Sequence, residues 1–198
     1  MNRLVLVDGE NLTYGLRHLL GKDDTKAPRT VLNDYNFRGL IEELLADEKP
    51  KNILWFGARL RLYDMTEELK NKSQAAISHQ AKFTNQMQRQ KIQFIKVGYL
   101  RARETDPCPN CEHQEWHLAE KGVDVGLAVR ILTEANVNTE LVVISADTDL
   151  LPALKGAKKL GAKLMHIGYE HRPINAMSRA VDATRIITLP VAKKYLAN

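Results

Sequence analysis

Unbroken apolar runs of strand length constrain this chain more than any other feature of its sequence. They are Leu4-Val5-Leu6-Val7, Ile53-Leu54-Trp55-Phe56, residues 92–97 and Leu141-Val142-Val143-Ile144, with a shorter Lys163-Leu164-Met165-His166-Ile167. A strand with one wet face alternates apolar and polar residues, whereas a strand covered on both faces has no polar face to spare. Between the runs, Phe37-Leu40-Ile41-Leu44-Leu45, Val123-Leu127-Ile131-Leu132 and Leu150-Leu151-Leu154-Ala157 repeat at helical spacing. Strands alternating with helices predict an α/β fold of three layers, αβα, Rossmann-like, around a mostly parallel sheet.

The 198 residues suit one domain at about 150 residues per domain, so residues 1–198 are read as a single unit. Two stretches break its rhythm. Residues 65–91 are polar and rich in Gln and Lys, with a thin apolar stripe, and predict a helical segment projecting from the body. Residues 103–118 carry Pro107, Pro109 and both cysteines and predict an irregular Cys/His-containing insertion. No apolar run approaches the roughly 20 residues that span a bilayer, and residues 1–7 lack the basic and long apolar regions of a signal peptide. Two closely spaced cysteines make no disulfide framework. These features predict a soluble, cytoplasmic protein with no membrane partner, and they leave its oligomeric state open.

Carboxylates stand at the ends of the first and fourth runs. The first passes directly into Asp8-Gly9-Glu10-Asn11, the fourth into Ser145-Ala146-Asp147-Thr148-Asp149. In parallel α/β sheets ligands bind beyond the carboxyl ends of strands, where the strand order reverses. A carboxylate there is costly unless a cation or hydrogen-bond donors compensate it. A third acid, Asp124, opens the helix of Val123, Leu127 and Ile131. Taken singly, Asp124 reads as a first-turn acid on the helix dipole, Asp149 as an N-cap and Asp8 as a turn residue. Their joint occurrence at element ends favours a site. No GxGxxG or GxxxxGK[ST] cradles a phosphate here, and no GxSxG marks a serine hydrolase.

Three blocks, Val7-Asp8-Gly9-Glu10-Asn11-Leu12, Lys121-Gly122-Val123-Asp124-Val125 and Ser145-Ala146-Asp147-Thr148-Asp149-Leu150, resemble the signature blocks of the NYN domain. That family lies in the PIN-like nuclease superfamily, and the likeness is to its LabA-like bacterial branch. The closing residues 178–189, with Asp182 before an apolar strand, are also similar. The resemblance implies a PIN-like sheet in the order 3-2-1-4-5, which brings Asp8 beside Asp147. One departure stands out: many relatives carry an aspartate six residues after the one matching Asp124, where this chain has Arg130.

The resemblance implies a metal-dependent nuclease, most readily an endoribonuclease. Asp8, Asp124 and Asp147 would ligate Mg²⁺ or Mn²⁺, with Asp149 directly or through water, since hard cations prefer oxygen ligands. Asn11 would orient the phosphate or a metal-bound water. The alternatives are a noncatalytic NYN-fold adaptor for RNA or protein, which Arg130 favours, and a nuclease acting on DNA. The chain carries 29 Lys and Arg against 24 Asp and Glu, a net charge of +5, which permits a polyanionic partner. RNA is the expected one and DNA the lesser. Arg101, Arg103, Lys82, Arg89 and Lys121 are its candidate contacts, and Tyr14 and Tyr99 its candidate stacking rings. Cys108, Cys111, His113 and His117 offer four zinc ligands around a Cys-x₂-Cys knuckle; reduced surface thiols are the alternative.

Overall fold

The structure is a computed structural model that describes residues 1–21, 25–46, 49–107, 111 and 114–197. Strand β1 (Asn2–Asp8) leads into helix α1 (Gly9–Leu19), followed by a 3₁₀ turn (Arg29–Leu32) and α2 (Phe37–Leu45). Then come β2 (Asn52–Arg59), α3 (Glu67–Arg89), β3 (Gln93–Glu104), β4 (Trp116–Lys121) and α4 (Val123–Glu134). The chain continues through β5 (Thr139–Ile144), a 3₁₀ turn (Thr148–Leu150), α5 (Leu151–Lys159) and β6 (Lys163–Tyr169). It closes with α6 (Asn175–Ala180), β7 (Ala183–Ile187) and α7 (Leu189–Lys194).

One seven-stranded sheet runs in the order β4-β3-β2-β1-β5-β6-β7, parallel throughout except for the antiparallel β3–β4 pair. The five strands expected from the apolar runs keep the expected relative order, and β4 and β7 extend the sheet at its two edges. The continuous runs have the predicted cause. Along β1, Val5 and Val7 enter one core with Ile53, Trp55, Val142, Ile144 and residues of α1, α2 and α7. Leu4 and Leu6 enter the opposite core with Leu54, Phe56, Leu141, Val143 and residues of α4 and α5. Successive side chains point to opposite faces of a strand, so both faces of β1, β2 and β5 must be apolar.

Helix α3 does not project as expected. Thr66 caps it, accepting from the Leu69 amide at 3.2 Å, and Leu69, Ser73, Gln86 and Met87 are buried along its length. Phe83 meets Phe37, Trp55 and Phe94 edge-on, with ring centroids 5.7, 5.2 and 6.4 Å apart. Aromatic rings bury far more area per residue than the aliphatic positions of a thin stripe, so one phenylalanine docks a helix whose stripe looked too sparse. The two ends of the 103–118 insertion belong to β3 and β4, which pair from Tyr99↔Lys121 to Glu104↔Trp116 as a two-stranded ribbon, and the described residues between them carry no strand. Gly98, at φ +60°, starts that ribbon in a backbone conformation that only glycine adopts freely. No described helix is long and apolar enough to cross a membrane.

Candidate active site

Strand β1 pairs with both β2 and β5, and the helices that follow β1 and β5 pack on opposite faces of the sheet. The chain therefore parts between the ends of β1 and β5, the crevice where α/β proteins bind ligands. Asp8 is the last residue of β1 and the N-cap of α1, accepting the Asn11 amide at 3.2 Å. Gly9 must follow it: an added Cβ would overlap the Trp55 indole and approach the Phe56 carbonyl oxygen to 2.5 Å. The turn is thereby pressed onto β2, which fixes where the Asp8 carboxylate stands.

Hydrogen bonds lace the two lips of the crevice together. The Ser145 hydroxyl donates to Asp8 Oδ2 at 2.9 Å and accepts the Asp147 amide at 3.0 Å. Asn11 Oδ1 accepts the Ala146 amide at 2.8 Å, and the Tyr169 hydroxyl donates to the Asn11 carbonyl at 3.2 Å. Asp147 Oδ1 caps the next 3₁₀ turn by accepting the Asp149 amide at 2.9 Å.

Burial pushes the Asp8 carboxyl above its usual range. The Asn11 amide and Ser145 hydroxyl draw it back, and the nearby charges of Asp147 and Glu10 push it up again. Glu120, on β4, is raised in the same way, first by burial and then by Glu10, with Asp8 adding a smaller push. The acidic group at the crevice is therefore Asp8, Asp147, Glu10 and Glu120. Sequence reasoning assigned no role to the last two. Glu10 lay inside the Asp8 block and Glu120 directly before the Lys121 block; only the β3–β4 pairing tells that Glu120 folds back toward Asp8.

Asp124 sits exposed in the first turn of α4, whose Gly122 N-cap supplies no side-chain bond. Asp149 is exposed as well. Among the described residues no three His, Cys, Asp or Glu side chains stand close enough to hold one metal ion, so the expected four-carboxylate cluster is not assembled. Arg130 pairs with Glu134 one turn along α4 at 2.7 Å. Asp182 accepts the Leu164 amide at 2.9 Å and pairs with Lys158 at 2.7 Å, which ties β7 to β6 and α5.

Three hollows border the carboxylates. A cleft of about 530 Å³ runs from Glu10 and Glu120 beneath α3, over Trp55, Phe83 and Phe94. A second, of about 300 Å³, is bounded by Asp8, Asn11, Tyr14, Tyr169 and Arg172. A third, of about 480 Å³, lies along the ribbon beside Arg101, Arg103, Glu120 and Lys121. The β3–β4 register puts Tyr99, Arg101, Arg103, His117 and Lys121 on one face of that ribbon, and all five are exposed. Lys82 and Arg89 lie on α3 instead, where Arg89 pairs with Asp34 at 3.3 Å. Of the zinc candidates, Cys111 is exposed, His117 is on the ribbon, and Cys108 and His113 lie outside the described residues.

Fold and crevice define an α/β protein of the switch-point type with an acidic centre. The chain belongs to the NYN domain family, whose profile matches residues 3–189, nearly its whole length. NYN domains are part of the PIN-like nuclease superfamily, a class that acts on phosphodiester bonds and generally uses divalent metal ions; the match does not single out the LabA-like branch. The fold is similar to the crystal structure of a protein of unknown function from Vibrio parahaemolyticus RIMD 2210633, with a TM-score of 0.57 and 13% identity. That likeness covers 99% of this chain and 96% of the other. A comparison with curated proteins found no match.

Proposed function

We propose that this chain is a metal-dependent endoribonuclease that hydrolyses RNA phosphodiester bonds at the crevice between β1 and β5. The observation that carries the reading is Asp8: a carboxylate held by Ser145 and Asn11 at the switch point, with Asp147 and Glu10 close enough to press on its charge. The donor set fits a hard divalent cation. It is all oxygen, and the protein's own donors leave like charges facing each other.

Asp8 and Asp147 are the ligands we assign to Mg²⁺ or Mn²⁺, with Glu10 and Glu120 completing the acidic surround and Asp124 and Asp149 contributing through water. Held there, such a cation would supply acidification of water and would offset charge on the phosphoryl oxygens. The chain's own groups do the positioning. With Asn11 Oδ1 already taken by Ala146, the side-chain Nδ2 of Asn11 remains to donate to a phosphate oxygen. Arg101, Arg103 and Lys121 supply cations on the ribbon for the strand backbone. Hydrolysis adds water across one P–O bond, leaving a phosphate monoester on one fragment and a hydroxyl on the other.

The test is cleavage of RNA, single-stranded DNA and duplex DNA with Mn²⁺ and with EDTA. Cleavage of RNA that needs the cation and disappears in Asp8→Asn and Asp147→Asn is the expected result; cleavage that survives both substitutions overturns the assignment. One observation favours a second reading, a noncatalytic adaptor: the separation of Asp124 and Asp149 from a closed ligand cluster. Binding of RNA without cleavage under every metal condition selects it.

A further inference from the structure

The hollow between α1 and the turn after β6 holds groups that the carboxylate chemistry does not use. Asp8, Glu10, Asn11 and Tyr14 line one rim, from the end of β1 and from α1, and Tyr169, His171 and Arg172 line the other, from the end of β6 and the turn after it. The two rims are opposite in charge. Arg172 is exposed, and no ion pair engages its guanidinium among the described residues. Lys26 reaches over the Tyr14 ring, its Nζ 3.8 Å from the centroid, and Lys26 and Arg172 both act on the Tyr14 hydroxyl. The two cations therefore converge on one side chain at the mouth of the hollow.

His171 adds a neutral handle. Its ring lies flat on His18, with centroids 4.4 Å and planes 7° apart, and it touches Tyr169 at 5.6 Å. Its Nδ1 is buried and has no hydrogen-bond partner among the described residues, a condition that costs free energy.

We propose that this hollow binds a phosphate group of a nucleic-acid strand, next to the phosphodiester at Asp8, through Arg172, Lys26 and the His171 ring. The proposal rests on the nuclease reading for the identity of the strand but not for the chemistry of the site. Arginine presents a planar fork that matches phosphate oxygens. Asp8 and Glu10 repel an anion from the first rim, so it settles at the Arg172 end. About 300 Å³ is at the low end for ligand sites and is room enough for a phosphate group.

The test measures binding, separately from cleavage. Asp8→Asn protein is titrated with fluorescent single-stranded RNA across a series of salt concentrations, with and without a terminal phosphate on the RNA. Into that background go Arg172→Ala, Lys26→Ala, both together, Arg172→Lys, and Lys155→Ala as a control that removes an exposed charge from α5. The double variant is expected to bind about tenfold more weakly, as loss of hydrogen bonds to a charged group implies. Each single loss should reduce the salt slope by about 0.7, while Arg172→Lys and Lys155→Ala keep the slope. If the loss is equal for both RNAs, the site holds an internal phosphate; if only the phosphorylated RNA loses affinity, it holds the terminal one. Double-variant binding no different from the Lys155→Ala control overturns the proposal. Wild-type cleavage alongside unchanged binding by the variants refutes this site alone, whereas weakened binding by the variants when the wild-type protein itself cleaves nothing refutes the nuclease and leaves the phosphate site standing.

Discussion

The Ser145 hydroxyl joins the two lips of the crevice through Asp8: it donates to Asp8 Oδ2 at 2.9 Å while accepting the Asp147 amide at 3.0 Å. Ser145 is fully buried. Ser145→Ala leaves an acceptor and a donor short of partners, which costs about 1–3 kcal/mol. Urea denaturation should show a lower midpoint with an unchanged slope. A midpoint equal to that of wild type removes Ser145 from its joining role and makes it a passive filler.

Asp8 behaves differently on removal, because its charge is a burden to the metal-free fold. Its carboxyl is raised by burial, and then by Asp147 and Glu10 against the pull of Asn11 and Ser145. The native state thus holds the Asp8 proton more tightly than the unfolded chain does. Stability from this group falls as pH climbs from the ordinary carboxylate value through the raised one, and stays low at neutral pH. Asp8→Asn in EDTA should melt at or above the wild-type temperature at pH 7. Adding Mn²⁺ at about a hundred times its Kd stabilises wild type by about 2.7 kcal/mol, and the variant should lose most of that gain. A wild-type melt indifferent to millimolar Mn²⁺ weighs heavily against the metal reading.

His166 gives the fold an acid-sensitive point. The ring is 2% exposed on β6, its Nε2 lies 2.7 Å from the Ser145 carbonyl oxygen, and its buried Nδ1 has no partner among the described residues. A carbonyl only accepts, so Nε2 carries the hydrogen in the neutral ring. Burial holds the His166 pKa below 6.5, against the smaller upward pull of that carbonyl. The unfolded chain therefore binds a proton that the native state resists. The contribution is whole above about 6.5 and is lost as pH falls from there through the folded value. His166→Gln should flatten the decline in stability between neutral and mildly acidic pH. Parallel pH profiles for wild type and variant dismiss His166 as the cause.

The contrast between Asp8 and Glu120 explains how much of the site was legible. Asp8 and Asp147 follow continuous apolar runs, and a parallel α/β pattern alone puts such ends at a ligand edge. Glu120 lies near the end of a short strand with no continuous apolar run, and its place depends on the antiparallel turn back along β3. His171 and Arg172 come from the turn after β6, beyond any local periodicity. Asp124 and Asp149 stand on a different footing. Sequence order put them at the right ends of their elements, but order does not say whether side chains converge. The fold was legible because burial on two faces imprints itself on every residue of β1, β2 and β5. The docking of α3 was not, since it turns on Phe83 meeting three rings from distant segments.

The basic residues on the ribbon and on α3 should part company when nucleic acid binds. Arg101 and Arg103 are two apart on β3 and so share a face with Tyr99 and, across the pair, with Lys121. All four are exposed, and none of the arginine and lysine charges on this face is neutralised by an ion pair among the described residues. Arg89 already pairs with Asp34, and Lys82 stands on the exposed side of α3, away from the ribbon pocket. A phosphate contact on a single strand contributes about 0.7 to the salt slope of binding, so Arg101→Ala with Arg103→Ala should lower it by about 1.4 on the same scale. Lys82→Ala with Arg89→Ala should leave it near the wild-type value. Fluorescence anisotropy over a salt series distinguishes the two pairs, and a slope that responds to the α3 pair but not to the ribbon pair moves the strand's path from β3 and β4 to the helix.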